Sequence, residues 1–186
     1  MTEIETRPTL EQLDAVFGTR GVAARCWCQW FRVTSREWDE LGPDELRRRT
    51  ADDLASDEPG PGVVAVRDGE PVGWCAVAPR PQYRLARRPT MRSGVPDDDL
   101  DDPSVWSVTC FVVRVGYRRQ GVAGELLDGA VALARSGGAH VLEAYPVDGS
   151  GSASELYHGT ASMFAAAGFE EVARTSRTRT VVRLTL

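Results

Sequence analysis

The spacing of apolar residues along the chain changes from region to region, and each change predicts an element. Leu10, Leu13, Val16 and Phe17 recur at helical spacing behind Thr9 and Gln12, a capping-box pair, so a first helix is expected up to Gly18. Trp38, Leu41, Leu46 and Leu54 lie in a charged stretch interrupted by Gly42-Pro43, and Pro43 suits the first turn of a helix through about Leu54. Two strand-like runs, Val63 to Val66 and Val72 to Val77, flank Asp68-Gly69, the strongest short hairpin signal in the chain. Val105 to Val113 is continuously apolar and rich in β-branched and aromatic residues, as a buried strand requires. Leu126, Leu127, Ala130, Val131 and Ala134 then give a helical stripe that Gly137-Gly138 ends.

Shorter signals follow. His140 to Tyr145 reads as a strand, Ser152 and Glu155 as a capping box for a short helix to His158, Thr160 as the cap of a helix over Ala161 to Ala167, and Thr178 to Leu186 as a terminal strand. The expected architecture is α/β or α+β, a largely antiparallel sheet with helices on its faces. Cys26 to Phe31 has no clear periodicity.

Composition narrows the function. The chain of 186 residues is expected to form a single domain spanning 1–186, with one substantial core. Its net charge of −5 argues against a general nucleic-acid binder. The polar, acidic start has the character of neither a signal peptide nor an anchor, and no apolar run is long enough for a bilayer, so a cytoplasmic location without membrane attachment is expected. Four cysteines, Cys26, Cys28, Cys75 and Cys110, fit reduced thiols better than a disulfide framework. Cys26-x-Cys28 on a strand would share a face as a metal pair does, but two histidines and no second cysteine pair leave a zinc site without completion, so no metal is expected. Arg80 to Arg92 is basic and Asp97 to Asp102 acidic; a solvated loop is expected there.

The richest chemistry lies between Val113 and Gly124, where a strand meets a helix through Arg118, Arg119, Gln120 and Gly121. Free N–H groups at a helix start, a favourable dipole and small residues make such a turn an anion site. Gly116 and Gly121 have P-loop spacing, but Val122-Ala123 stands where a lysine and a hydroxyl residue are needed. A dinucleotide fingerprint fails because Arg119 occupies its first glycine position. Arg118-x-x-Gly121-x-Ala123, with Val113 and Tyr117 before it, Leu126-Leu127 after it and Ala167-Gly168-Phe169 near the end, resembles the pyrophosphate motif of the GNAT acetyltransferase superfamily. The order of elements is similar from about Leu10 to Leu186.

That resemblance implies a sheet with a splayed central strand pair and an acetyl-coenzyme A-dependent N-acetyltransferase acting on a small-molecule or protein amine. It implies that Arg118, Arg119, Gln120, Gly121, Val122, Ala123 and Gly124 hold the pyrophosphate, and that the backbone of Phe111, Val112 and Val113 pairs with pantetheine. It is compatible with a homodimer. In the superfamily a tyrosine commonly protonates the leaving thiolate, and here that position is Phe164; a frequent glutamate position falls near Ser107. The remaining candidates are Glu143 as base and Tyr157 or Tyr145 as acid, with His158 and Cys110 nearby. The acceptor side would be walled by Cys26 to Phe31, Trp38 and the Arg80 to Asp102 loop; Trp27, Trp30 and Phe31 either stack on an acceptor or form an internal cluster. The missing tyrosine leaves a second expectation open, a domain that binds acyl-coenzyme A without turnover.

Overall fold

The computed structural model describes residues 1–147 and 155–186. Its centre is one seven-stranded sheet of order β1-β2-β3-β4-β5-β7-β6, formed by Thr2–Glu5 (β1), Gly62–Arg67 (β2), Glu70–Pro79 (β3), Val105–Val113 (β4), Val141–Ala144 (β5), Glu170–Arg174 (β6) and Thr180–Thr185 (β7). Every neighbouring pair is antiparallel except β4 with β5. The β2–β3 hairpin turns at Asp68 and Gly69, whose φ values of 52° and 79° suit the natural twist of a tight hairpin. The edge strand β1 has no apolar signature of its own; it exists because its backbone pairs with β2.

The helices are Leu10–Phe17 (α1), Ala23–Cys26 (α2), Ser35–Glu40 (α3), Pro43–Ala55 (α4), Pro89–Arg92 (α5), Val122–Ser136 (α6) and Ala161–Ala166 (α7). In α1, Thr9 Oγ1 accepts from the Gln12 N–H while the Gln12 side chain accepts from the Thr9 N–H, the expected capping box. Thr160 caps α7 with a single bond, its Oγ1 accepting from the Met163 N–H. The capping box expected at Ser152 lies outside the described residues; a 3₁₀ turn occupies Glu155–His158.

One face of the sheet is covered by α6, where Leu126, Leu127, Ala130 and Ala134 bury against Val63, Val72, Trp106 and Val108. The other is covered by α1 and α4, with Leu13, Phe17, Trp27 and Leu46 against Val64, Trp74, Ala76 and Val112. No helix among the described residues is long and apolar enough to cross a membrane.

One expectation changes, and one conformation left open by the sequence is settled. The Arg80 to Asp102 segment is not simply a solvated loop: Arg80 is fully buried and bonds Asp98 at 2.9 Å and the Asp99 carbonyl oxygen, while Arg92 bonds Asp98 at 2.8 Å. The basic and acidic stretches fold back on one another because buried charge must be paired. Cys26 to Cys28 is a helix end rather than a strand. Trp27 and Cys28 take left-handed φ values of 51° and 52°, held by the bond from Thr50 Oγ1 to the Trp27 carbonyl and by the Gln29 side chain on Thr50 and Asp53. The Cys28 thiol therefore meets Cys110 on β4, with sulfurs 2.7 Å apart. Among the described residues no group of three His, Cys, Asp or Glu side chains is arranged to hold a metal.

Candidate active site

The central feature is a gap in the sheet. β4 pairs with β3 along its whole length, from Trp106 opposite Pro79 to Val113 opposite Gly73. Its other edge pairs with β5 only from Val105 to Val108, so the strands part beyond Val108 and, among the described residues, leave the backbone from Thr109 to Val113 without a strand partner on that side. The Val113 carbonyl is met from the open side by Arg118 Nε at 3.0 Å. Two residues earlier, by strand alternation, the N–H and C=O of Phe111 face the same gap.

Beyond β4 the chain turns through a 3₁₀ segment, Val115–Tyr117, and enters α6. Arg119 and Gly121 both have positive φ, 59° and 84°. This winding leaves the N–H groups of Arg119, Gln120, Gly121, Val122 and Ala123 without a backbone acceptor among the described residues, at the positive end of a 15-residue helix. A Cβ built at Gly121 or Gly124 would meet nothing within 4 Å, so both glycines border open space. The Gln120 side chain is occupied elsewhere, donating to the Gly116 carbonyl at 2.8 Å and accepting from Arg67. Arg67 also bonds Glu125 at 2.8 Å and fixes the turn against β2.

Two hollows meet here. The first, with a volume of about 630 Å³, is lined by Phe111, Val113, Arg118, Arg119, Gly121, Val122, Ala123 and Gly124, together with Tyr117, Tyr157 and Thr160. The second, of about 390 Å³, lies on the other side of β4, between α2 and the Trp30–Trp38 pair; Thr109, Cys110, Val112, Tyr157 and His158 line it. Tyr157 belongs to both walls. Among the expected stacking residues, Trp30 borders this hollow and Phe31 contributes to its wall, whereas Trp27 packs edge-on against Phe17 in the core. No residue of the Arg80 to Asp102 segment lines it.

Next to Tyr157, His158 is fixed by its Nδ1, 2.8 Å from the Thr109 carbonyl oxygen. A carbonyl oxygen can only accept, so Nδ1 carries the hydrogen and Nε2 is the nitrogen able to take a proton. The neighbouring thiols are held protonated: burial pushes Cys28 well up, and burial raises Cys26 to about 12. Phe164 fills its position as a core residue, with its ring edge-on to Phe111 and Phe169.

Glu143 and Tyr145 line neither hollow and are engaged elsewhere. Glu143 is 0% exposed; it accepts from the Tyr145 hydroxyl at 2.6 Å, from Arg183 at 2.8 Å and from Arg92 at 3.2 Å, with Arg80 at 3.6 Å. Tyr145 also contacts Ser107 Oγ at 3.0 Å; burial and then the Glu143 charge raise its hydroxyl well above the ordinary tyrosine value. This cluster ties β5 and β7 to the Arg80 to Asp102 segment just before β4 and β5 part. Of the residues expected to supply a base and an acid, Glu143 and Tyr145 thus bond within this cluster, and Tyr157 is the one that lines the hollows.

The family model described as "Acetyltransferase (GNAT) family" matches residues 27–159. The chain belongs to the GNAT acetyltransferase family. Solved structures with the same fold include a ribosomal-protein-alanine N-acetyltransferase from Brucella melitensis, 20% identical with a TM-score of 0.59 and 99% of each chain covered. PaiA N-acetyltransferase from Thermoplasma acidophilum, in complex with coenzyme A, is 10% identical with a TM-score of 0.57, covering 100% of this chain and 99% of its own. YncA from Salmonella typhimurium, with its cofactor acetyl-CoA, is 15% identical with a TM-score of 0.57, covering 100% and 94%. A search of curated proteins found no match. Within the GNAT frame the open edge of β4 and the α6 turn are the residues anticipated from sequence. His158 and Trp38, both named from the sequence, line the second hollow.

Proposed function

We propose that this GNAT protein is an acetyl-coenzyme A-dependent N-acetyltransferase that moves the acetyl group directly to a primary amine. One observation carries the reading: the glycine-turn hollow and the β4 hollow share Tyr157, so a thioester and an amine entering from opposite sides would meet at its side chain. The pyrophosphate would lie on the N–H groups from Arg119 to Ala123, with Gly124 leaving room beside them, the charges of Arg118 and Arg119 nearby, and Gln120 contributing its backbone alone. Pantetheine would pair with the open edge of Phe111 to Val113 as an added strand.

In the step itself the amine nitrogen attacks the thioester carbonyl, the C–N bond forms and the C–S bond breaks. A backbone N–H on the open edge of β4 would stabilise the developing oxyanion. His158 Nε2 would take the amine proton, directly or through water, and Tyr157 would protonate the departing thiolate before recovering its own proton from solvent. Proximity of the two substrates would supply much of the rate. Direct transfer is supported by the protonated state of Cys26 and Cys28, because an acyl-enzyme needs a thiolate. Glu143 and Tyr145 would act by holding β5 and the Arg80 to Asp102 segment in place.

The buried Phe164, at the position of the usual tyrosine, favours a second reading in which acyl-coenzyme A is bound without turnover. Release of the coenzyme A thiol in the presence of amines separates the two. Tyr157→Phe is expected to lower kcat by about 100-fold and to leave the KM for acetyl-coenzyme A unchanged. An unchanged kcat would remove Tyr157 as the acid.

A further inference from the structure

The second hollow differs in character from the turn beside it, and the difference bears on which amine enters. Its walls are dominated by Ala23, Trp30, Phe31, Trp38, Cys110 and Val112, with only a few polar side chains among them. No aspartate or glutamate lines it among the residues whose side chains are described, 1–147 and 157–186. Among the described residues its basic members are His158 and Arg179, and Arg179 also donates to the Tyr145 carbonyl at 3.2 Å; the other titratable groups are the thiols of Cys26, Cys28 and Cys110 and the Tyr157 hydroxyl.

The mouth is apolar as well. Only four large hydrophobic side chains are exposed among the described residues, and two of them, Val22 at 47% and Trp30 at 39%, stand at this hollow. Folding normally leaves such groups scattered, so their meeting at one opening marks a binding surface. Trp30 packs edge-on against Trp38 with ring centres 4.7 Å apart, a fixed aromatic corner against which a flat group can lie. A volume of about 390 Å³ is near the lower end of the range for small-molecule sites.

We propose that the acceptor is a small primary amine carried on an apolar, ring-sized body, an aralkylamine in chemical class, that reacts as the neutral amine. The inference rests on the acetyl-transfer reading above and gives that site its substrate. An ammonium group entering between these apolar walls loses its hydration without gaining a carboxylate from the side chains described around it. The same surroundings therefore favour the uncharged, nucleophilic form of a monoamine and disfavour a polyamine, whose second charge cannot be discharged. A peptide amine is disfavoured for a different reason, since its main chain brings donors and acceptors that apolar walls cannot satisfy.

The test uses the full chain with saturating acetyl-coenzyme A and follows thiol release with phenethylamine, tryptamine, spermidine, lysine and a short peptide with a free N-terminal alanine. The expected result is a kcat/KM for phenethylamine or tryptamine at least about tenfold above the other three. Trp30→Ala should raise the KM for phenethylamine by about fivefold or more and leave that for acetyl-coenzyme A unchanged. Val22→Asp, at an exposed position where folding is not at stake, should shift preference toward spermidine. A preference for spermidine, lysine or the peptide in the parent protein would overturn the aralkylamine assignment while leaving acetyl transfer standing. An unchanged KM in Trp30→Ala, or no shift in Val22→Asp, would also overturn it. Thermal stabilisation by coenzyme A with no thiol release for any of the five amines would instead sink the acetyl-transfer reading, and this inference with it.

Discussion

The hollow at the α6 turn is made of backbone and the hollow beneath Trp30 is made of side chains. In the first, consecutive N–H groups and two glycines offer direction and partial charge from one short stretch, Arg118 to Gly124. In the second, α2, the Trp30 region, β4 and the turn at Tyr157–His158 each contribute two or three groups, brought together only by the folded sheet. On the proposed reading, backbone groups would recognise the part common to every turnover, whereas side chains can vary without disturbing the sheet. The same division explains why the turn points to the donor and is silent about the acceptor.

The largest expected effect lies in neither hollow. Glu143→Ala leaves buried arginines without their carboxylate and should destabilise the protein by about 3–5 kcal/mol, read by denaturant unfolding. The isosteric Glu143→Gln is the sharper probe of its role. If that variant kept parental stability and coenzyme A binding but lost turnover, Glu143 would belong to the acceptor chemistry and the division drawn here would fail.

Next comes the turn. Gly124 borders open space in ordinary helical backbone, so Gly124→Glu introduces negative charge at the anion site without backbone strain. Coenzyme A binding should weaken by about 100-fold, equivalent to ~2.7 kcal/mol, by calorimetry. Amine KM should change little, and a matching rise in amine KM would mean that the two hollows are not separable.

The smallest effect is a pH dependence of the scaffold. Burial works against the Asp98 carboxylate, but its hydrogen bond from Arg80 and the charges of Arg80, Arg92 and Arg183 hold its folded-state value below the ordinary 3.8. The stability this gives is present above that ordinary value and is lost as pH falls through the depressed one. The melting temperature should therefore drop on acidification below pH ~4, and Asp98→Asn should drop less over the same window. Equal drops would show that another carboxylate dominates the acid response.

Much of the frame is written locally. The capping pair Thr9 and Gln12, the Asp68-Gly69 hairpin, the run from Val105 to Val113 and the stripe on α6 are short-range patterns, and each forms the element its pattern predicts. The family motif at Arg118 to Ala123 is legible for the same reason, because an anion site at a helix start needs only consecutive residues.

What the sequence by itself determined, then, is the order of elements and the residues of the glycine turn. Only the tertiary structure decided that Arg80 and Asp98 pair inside a segment that reads as solvated, that Glu143 and Tyr145 face this ion cluster, and that Tyr157 stands between two hollows. A charge run looks the same in sequence whether it faces water or folds onto its opposite, because pairing is settled by chain return over long separations. The side toward which Glu143 points was likewise fixed by strand register. Its neighbours Ser107 and Arg183 lie on strands distant in the chain, so no local pattern carries that information.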